Sequence, residues 1–282
     1  MSRLRNPWGK PRFLVLITGF YVLWSVLPVL LAIAFAFNKG RSRTTWQGFS
    51  FRWFTGPRGV FHDPALQGAL KHTLFLAVLC VAVATPLGVM LALGLQRWRG
   101  RLGGSVNTVM LLPLVTPEIV MGVALLLLFL RVFPGIGLGT EAQAIGQVTF
   151  TLSYVVVIVR GRLVSIGPEY EEAAADLGAP ARDQFFRVLF PLLLPAIVAA
   201  MAVTFATSID DFVVTQYLSS DASTTTVSML LYSTARGAPT PALNAIATVG
   251  LVITLLTLTF AFLVYRRFAG RSEATSLATL EV

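Results

Sequence analysis

Six separate runs of apolar residues, at 13–37, 73–95, 106–130, 142–159, 192–218 and 242–264, constrain this chain more than any other feature. A helix rises about 1.5 Å per residue, so each run is long enough, or nearly so, to cross roughly 30 Å of hydrocarbon. Composition agrees: 55% of the 282 residues are apolar and only 12% charged, with a mean hydropathy of +0.75, outside the range of a soluble domain of this length. The expectation is an all-α membrane protein, six transmembrane helices forming a single domain over residues 1–282. Charge enters only two of the runs, as Glu118 in the third and Asp210 and Asp211 in the fifth.

Basic residues predict the orientation. With the N-terminus inside, fourteen of the 22 Lys and Arg fall on the cytoplasmic side, among them Arg3, Arg5, Lys10, Arg97, Arg99, Arg101, Arg160, Arg162, Arg182 and Arg187. The loop at 38–72 breaks the rule locally, because Lys39, Arg41, Arg43, Arg52, Arg58 and Lys71 all lie in it. It also holds Trp46, Phe49, Phe51, Trp53 and Phe54, which suit either a binding protein or the membrane interface. The first run could be a signal peptide with an Ala34-Phe35-Ala36 cleavage site, but about 25 apolar residues exceed the roughly 7 to 15 of a cleaved signal, so an uncleaved span is expected. The net charge of +9 fits loops beside anionic headgroups, and no separate basic domain suggests nucleic acid.

Little in the chain supports bond-making chemistry. Cys80 is the only cysteine, and His62 and His72 are the only histidines, so an internal disulfide or a multi-cysteine metal site is excluded. There is no H-E-x-x-H, no G-x-S-x-G and no G-x-x-x-x-G-K-[ST] phosphate loop. If ATP drives this protein, its cofactors ATP and Mg must be bound by another chain.

The one charged stretch between the fourth and fifth runs, from Pro168 to Pro191, reads as a helix-turn-helix. Pro168 suits a first helical turn, and Glu169, Glu171 and Glu172 then sit at the positive end of the helix dipole. Tyr170, Ala173, Ala174 and Leu177 follow i, i+3, i+4, i+7 spacing and form one apolar stripe. Gly178 permits a left-handed cap, and Ala179-Pro180 opens a second short helix with Phe185, Phe186 and Leu189.

The same stretch carries Glu172-Ala173-Ala174, three residues, Gly178, nine residues, then Val188-Leu189-Phe190-Pro191. This resembles the cytoplasmic coupling loop, here about residues 161–191, of binding-protein-dependent ABC import permeases. The resemblance implies that Glu172, Ala173, Ala174 and Gly178 dock into a groove of an ATP-hydrolysing subunit, so that the chain itself is a transport subunit and not an enzyme. Val188 and Phe190 depart from the usual Ile and Leu, though both remain apolar.

Ionisable groups in spans are costly and usually face a cavity or a partner. On a continuous fifth helix Thr204, Thr207, Ser208, Asp211 and Thr215 share a face, while Asp210 points about 100° away. Asp211 would then line a pathway roughly 28 Å from the inner end, near the outer mouth. Glu118 lies about 18 Å along the third run and follows Pro113 and Pro117, which can break a helix where transporters place polar sites.

Ser208-Ile209-Asp210-Asp211-Phe212-Val213-Val214, Asn244-Ala245-Ile246-Ala247-Thr248 and Pro113-Leu114-Val115-Thr116-Pro117-Glu118-Ile119-Val120-Met121-Gly122 resemble the second permease subunit of spermidine/putrescine importers, from about residue 70 onward. That resemblance implies a cationic solute, for which carboxylates and the rings of Tyr217 or Phe212 are suitable partners. It also implies ATPase subunits, a second permease subunit, an external solute-binding protein and membrane lipid as partners, in a bacterial inner membrane. Ser219-Ser220-Asp221 and Ser228 depart from a Gly-Pro pair and a Pro common in the family, and related permeases carry ferric ion, thiamine or sulfate. Two other classes fit less well. An intramembrane aspartyl protease needs facing aspartates, whereas Asp210 and Asp211 are adjacent. An ion-coupled transporter using Glu118 and Asp211 leaves the charged loop unexplained.

Overall fold

The computed structural model describes residues 12–42, 44–97, 103–236 and 240–278, and these are helical almost wherever the sequence is apolar. In chain order the helices are α1 (Arg12–Ala36), the single turn α2 (Arg52–Thr55), α3 (Pro64–Arg97), α4 (Gly103–Val115), α5 (Glu118–Arg131) and α6 (Thr140–Ile166). There follow α7 (Glu169–Asp176), α8 (Ala181–Asp183), α9 (Phe190–Asp210), α10 (Val213–Leu218), α11 (Val227–Arg236) and α12 (Pro241–Ala278). Among the described residues the one extended pairing is a bridge between Asn38 and Phe49. The all-α expectation holds. Of the basic residues that set the orientation, Arg3, Arg5, Lys10, Arg99, Arg101 and Arg43 lie outside the described residues.

Five helices are long and apolar enough to span a membrane unbroken, and the one remaining run, the third, is a bent pair. The third apolar run is not one rod: Gly104–Val115 and Glu118–Arg131 meet at 113°. Pro113 is absorbed inside α4, but Pro117 supplies no N–H and disfavours a helical residue before it; α4 ends at Val115 and the chain turns at Pro117 with ψ 133°. The fifth run is interrupted as well. Helix α9 ends at Asp210, Asp211 is extended at φ −60° and ψ 119°, and α10 restarts two residues later. The shared face expected for Thr204, Asp211 and Thr215 on one continuous helix therefore does not exist.

The core is a three-helix contact of α3, α6 and α9. Val155, Val159, Leu163, Leu189, Leu193 and Ala200 are buried there. Helix α12 packs on α9, and α1 packs on α12 with most of its surface left for lipid. On the other side α5 lies along α10, where Leu125, Phe129, Val214 and Leu218 bury one another.

Close approach of α3 to α6 depends on Gly88. A Cβ there would come within 2.6 Å of the Val155 Cβ, a contact that requires the helices to part. Gly88→Leu is expected to destabilise the bundle by about 1–3 kcal/mol or more through overpacking. The check is the melting temperature and the monodisperse fraction in detergent, with Gly94→Leu, whose Cβ meets nothing within 4 Å, as the tolerated control.

Candidate functional site

Two regions at opposite ends of the bundle carry the residues singled out by sequence. The first is the break between α9 and α10. Asp211 has left the helix, and its carboxylate caps the next one: Oδ1 accepts from the Val214 N–H at 3.2 Å and Oδ2 from the Thr215 N–H at 3.0 Å. The Asp211 carbonyl accepts from Ser228 Oγ at 2.7 Å and from Thr215 Oγ1 at 3.0 Å. Gln147 reaches in from α6, donating from Nε2 to the Ser208 carbonyl at 3.3 Å and to Asp211 Oδ2 at 3.4 Å, while its Oε1 accepts from Ser208 Oγ at 2.5 Å.

One turn away on α6, buried Gln143 makes a second clasp. Its Nε2 donates to the carbonyls of Thr215 and Thr224, both at 2.9 Å, which fixes the amide orientation. Its Oε1 then accepts from His72 Nε2 at 2.8 Å. Gln143, Gln147 and Thr151 recur every fourth residue and place one polar stripe on an otherwise apolar helix. In the sequence the stripe shows only as two uncharged glutamines in the fourth run, a weaker signal than the acids of the third and fifth. After α10, Asp221 caps a short turn, and its hydrogen bonds to Ser223 hold its carboxyl below the ordinary range.

The other acids are disposed differently. Asp210 is the last residue of α9, exposed and paired with no cation among the described residues. A carboxylate at a helix C-terminus meets the negative end of the dipole, so its place there is not for stability. Glu118 is exposed in the first turn of α5, where the dipole favours it. One turn on, Tyr217 from α10 lies on Gly122, where an added Cβ would sit 2.8 Å from the ring. The packing of α5 on α10 thus brings Glu118 and Tyr217 to the same side as the α9–α10 break.

The second region is the hairpin around α7. Gly178 has φ +79°, its N–H bonds to the Ala175 carbonyl at 2.8 Å, and the Ala179 N–H bonds to Ala174 at 3.0 Å, which together form a Schellman cap. No residue of α7 is buried; Tyr170 is 56% and Leu177 90% exposed, so the apolar stripe faces outward without a partner in this chain. Glu171 pairs with Arg97 and ties α7 to the end of α3. The expected second short helix is not separate. It runs from α8 through a widened turn at Gln184–Leu189 into α9, and the Phe190 N–H bonds back to Phe185. Pro191, which lacks a donor, explains the widening.

A bundle whose spans break at acidic residues on one side, and whose opposite side presents a braced helix, has the build of a transport permease. Its fold is that of a bacterial ABC transporter involved in the import of the acidic polysaccharide alginate, with TM-score 0.73 at 18% identity over 91% of this chain and 94% of that one. Residues 84–273 match the binding-protein-dependent transport system inner membrane component, and the chain belongs to that family. It is 34% identical over 251 residues to the putrescine transport system permease protein PotI of Escherichia coli (strain K12), covering 87% of this chain and 86% of PotI. It is 32% identical over 258 residues to the spermidine/putrescine transport system permease protein PotC of Haemophilus influenzae, covering 91% of this chain and 98% of PotC. The chain is an inner-membrane permease subunit of an ABC importer. Among the described residues no group of three or more His, Cys, Asp or Glu is placed to hold a metal.

Proposed function

We propose that this permease carries putrescine or spermidine inward, paired with a second permease subunit on two ATPase subunits and fed by an external binding protein. The observation that carries the solute class is the exposed, uncompensated Asp210 at the α9–α10 break, with Glu118 and Tyr217 on the same side, read beside the identity to PotI. Two carboxylates and an aromatic face suit a flexible di- or tri-cation. In this reading Asp210 and Glu118 meet the solute, and Asp211 shapes the mouth they stand in.

Glu172, Ala173, Ala174 and Gly178 form the face that docks on the ATPase, which binds ATP and Mg. The N-terminus and α7 are cytoplasmic. Closure of the ATPase pair moves α7, and the motion reaches α3 through Glu171 and Arg97 and α9 through the rigid run beginning at Ala181. The spans then switch access between the two sides as rigid bodies.

Competition against labelled putrescine uptake in cells expressing the full transporter tests the solute. Spermidine is expected to compete at micromolar levels, and ferric ion, thiamine and sulfate are expected to have no effect. Uptake driven by one of those three, with no polyamine uptake, would overturn the polyamine assignment and leave the importer intact.

A further inference from the structure

At the end of the bundle away from α7, residues 38–42 and 44–63 fold into a small cap that the transport role does not account for. Its hub is Asn38, fully buried, whose Nδ2 donates to the Ser42 and Thr45 carbonyls at 2.9 and 3.0 Å and whose Oδ1 accepts from the Gln47 N–H at 2.8 Å. The Asn38 carbonyl accepts from Trp53 Nε1 at 2.7 Å, so the buried indole is locked in place. Two hollows, of about 300 and 190 Å³, adjoin this ring, and Arg41 and Arg58 line both. Arg52 completes the smaller one, its guanidinium carbon 5.3 Å from the Trp53 ring centroid.

We propose that these hollows are a binding site for the headgroup of an anionic phospholipid, with Arg41, Arg52 and Arg58 gripping its phosphate. Three exposed arginines converge on a rigid scaffold, and none pairs with a carboxylate among the described residues. Asp63 also lines the larger hollow, but its Oδ1 caps α3, accepting from the Ala65 and Leu66 N–H groups at 2.9 and 3.3 Å, it forms no ion pair with an arginine among the described residues, and its single charge leaves the three arginines in excess. The larger hollow is floored by Leu66 and Leu243 in the first turns of α3 and α12; Leu243 stands at the start of the sixth apolar run and Leu66 about 10 Å before the start of the second, so the hollow lies at and just outside the hydrocarbon edge, the depth of the headgroups. Exposed Trp46, Phe49 and Phe51 stand on the same cap, the ring chemistry of a membrane–water boundary. This placement favours lipid over a docked protein as the source of negative charge. The proposal requires only that the chain spans the membrane and is independent of the solute it carries.

Native mass spectrometry of the purified transporter complex tests it, with phosphatidylglycerol and phosphatidylcholine of matched acyl chains as probes. Wild type is expected to hold phosphatidylglycerol at least tenfold more tightly than phosphatidylcholine. Arg41→Gln/Arg58→Gln is expected to lose about thirtyfold in phosphatidylglycerol affinity, the effect of removing two basic groups near a headgroup, and Arg41→Lys/Arg58→Lys to keep most of it. These positions are exposed, so the variants should assemble normally. Equal affinity for the two lipids, or no change in the glutamine variant, would overturn the proposal. Displacement of the lipid by millimolar glycerol phosphate would reassign the pocket to a soluble anion. Unchanged lipid affinity with weakened binding-protein affinity would make the cap a protein-docking face, and the lipid site would again be wrong.

Discussion

Gly178→Asp is expected to abolish solute uptake, by more than a hundredfold, while the complex still assembles and still hydrolyses ATP. Two effects combine. At φ +79° a side chain costs roughly 1–2 kcal/mol in the left-handed region, which loosens the Schellman cap and the angle between α7 and α8. Among the described residues nothing beyond its chain neighbours lies within 4 Å of the added Cβ, so the charge itself projects outward, onto the surface that would meet the ATPase. Gly178→Ala carries the backbone cost without the charge and is expected to retain a substantial fraction of uptake. Leu177→Cys, 90% exposed in a chain whose native Cys80 is buried, supplies a second readout as a crosslink to the ATPase subunit. Normal uptake by an assembled Gly178→Asp complex would remove α7 from the coupling path.

Asp211→Asn is expected to cost both transport and stability, and the pairing of the two effects is the test. Three donors converge on the two carboxylate oxygens, from Val214, Thr215 and Gln147. An asparagine keeps one acceptor oxygen and sets an NH2 against a remaining donor, leaving a part-buried group unsatisfied at about 1–3 kcal/mol. Uptake should fall more than tenfold with a melting temperature several degrees lower, and Gln147→Leu should reproduce both. Asp210→Asn removes an exposed, unpaired carboxylate, so its expected signature is a raised KM for polyamine with stability within about 0.5 kcal/mol. If Asp211→Asn stops transport with no loss of stability, Asp211 meets cargo directly and the clasp is incidental.

The membrane class and the hairpin were legible because both rest on local patterns: runs of apolar residues near 20 long, and a Gly placed to end a short helix. Breaks inside spans were less so. Pro113 and Pro117 look alike in sequence, yet α4 accommodates the first and the chain turns at the second, a choice made by packing of α4 on α6 and α5 on α10. The end of α9 at Asp210 has no proline to announce it. It follows from tertiary partners more than sixty residues away, chiefly Gln147, which make an extended Asp211 more favourable than another helical turn. Helical periodicity assumes a continuous helix, and so it placed Asp211 on the face of Thr204 and Thr207, whereas the break turns its carboxylate onto the start of α10. The cap built on Asn38 was illegible for a different reason: its partners Ser42, Thr45, Gln47 and Trp53 are all within fifteen residues, but they follow no helical or strand period that would announce the fold.

Proteoliposomes holding this permease with its partner permease and ATPase subunits give the most direct test of the account, loaded with ATP and supplied with binding protein and labelled putrescine. Accumulation against a gradient that needs both ATP and the binding protein, and that is indifferent to a proton or sodium gradient, is the predicted result. Uptake that follows an ion gradient without ATP would contradict it and make the chain a secondary transporter.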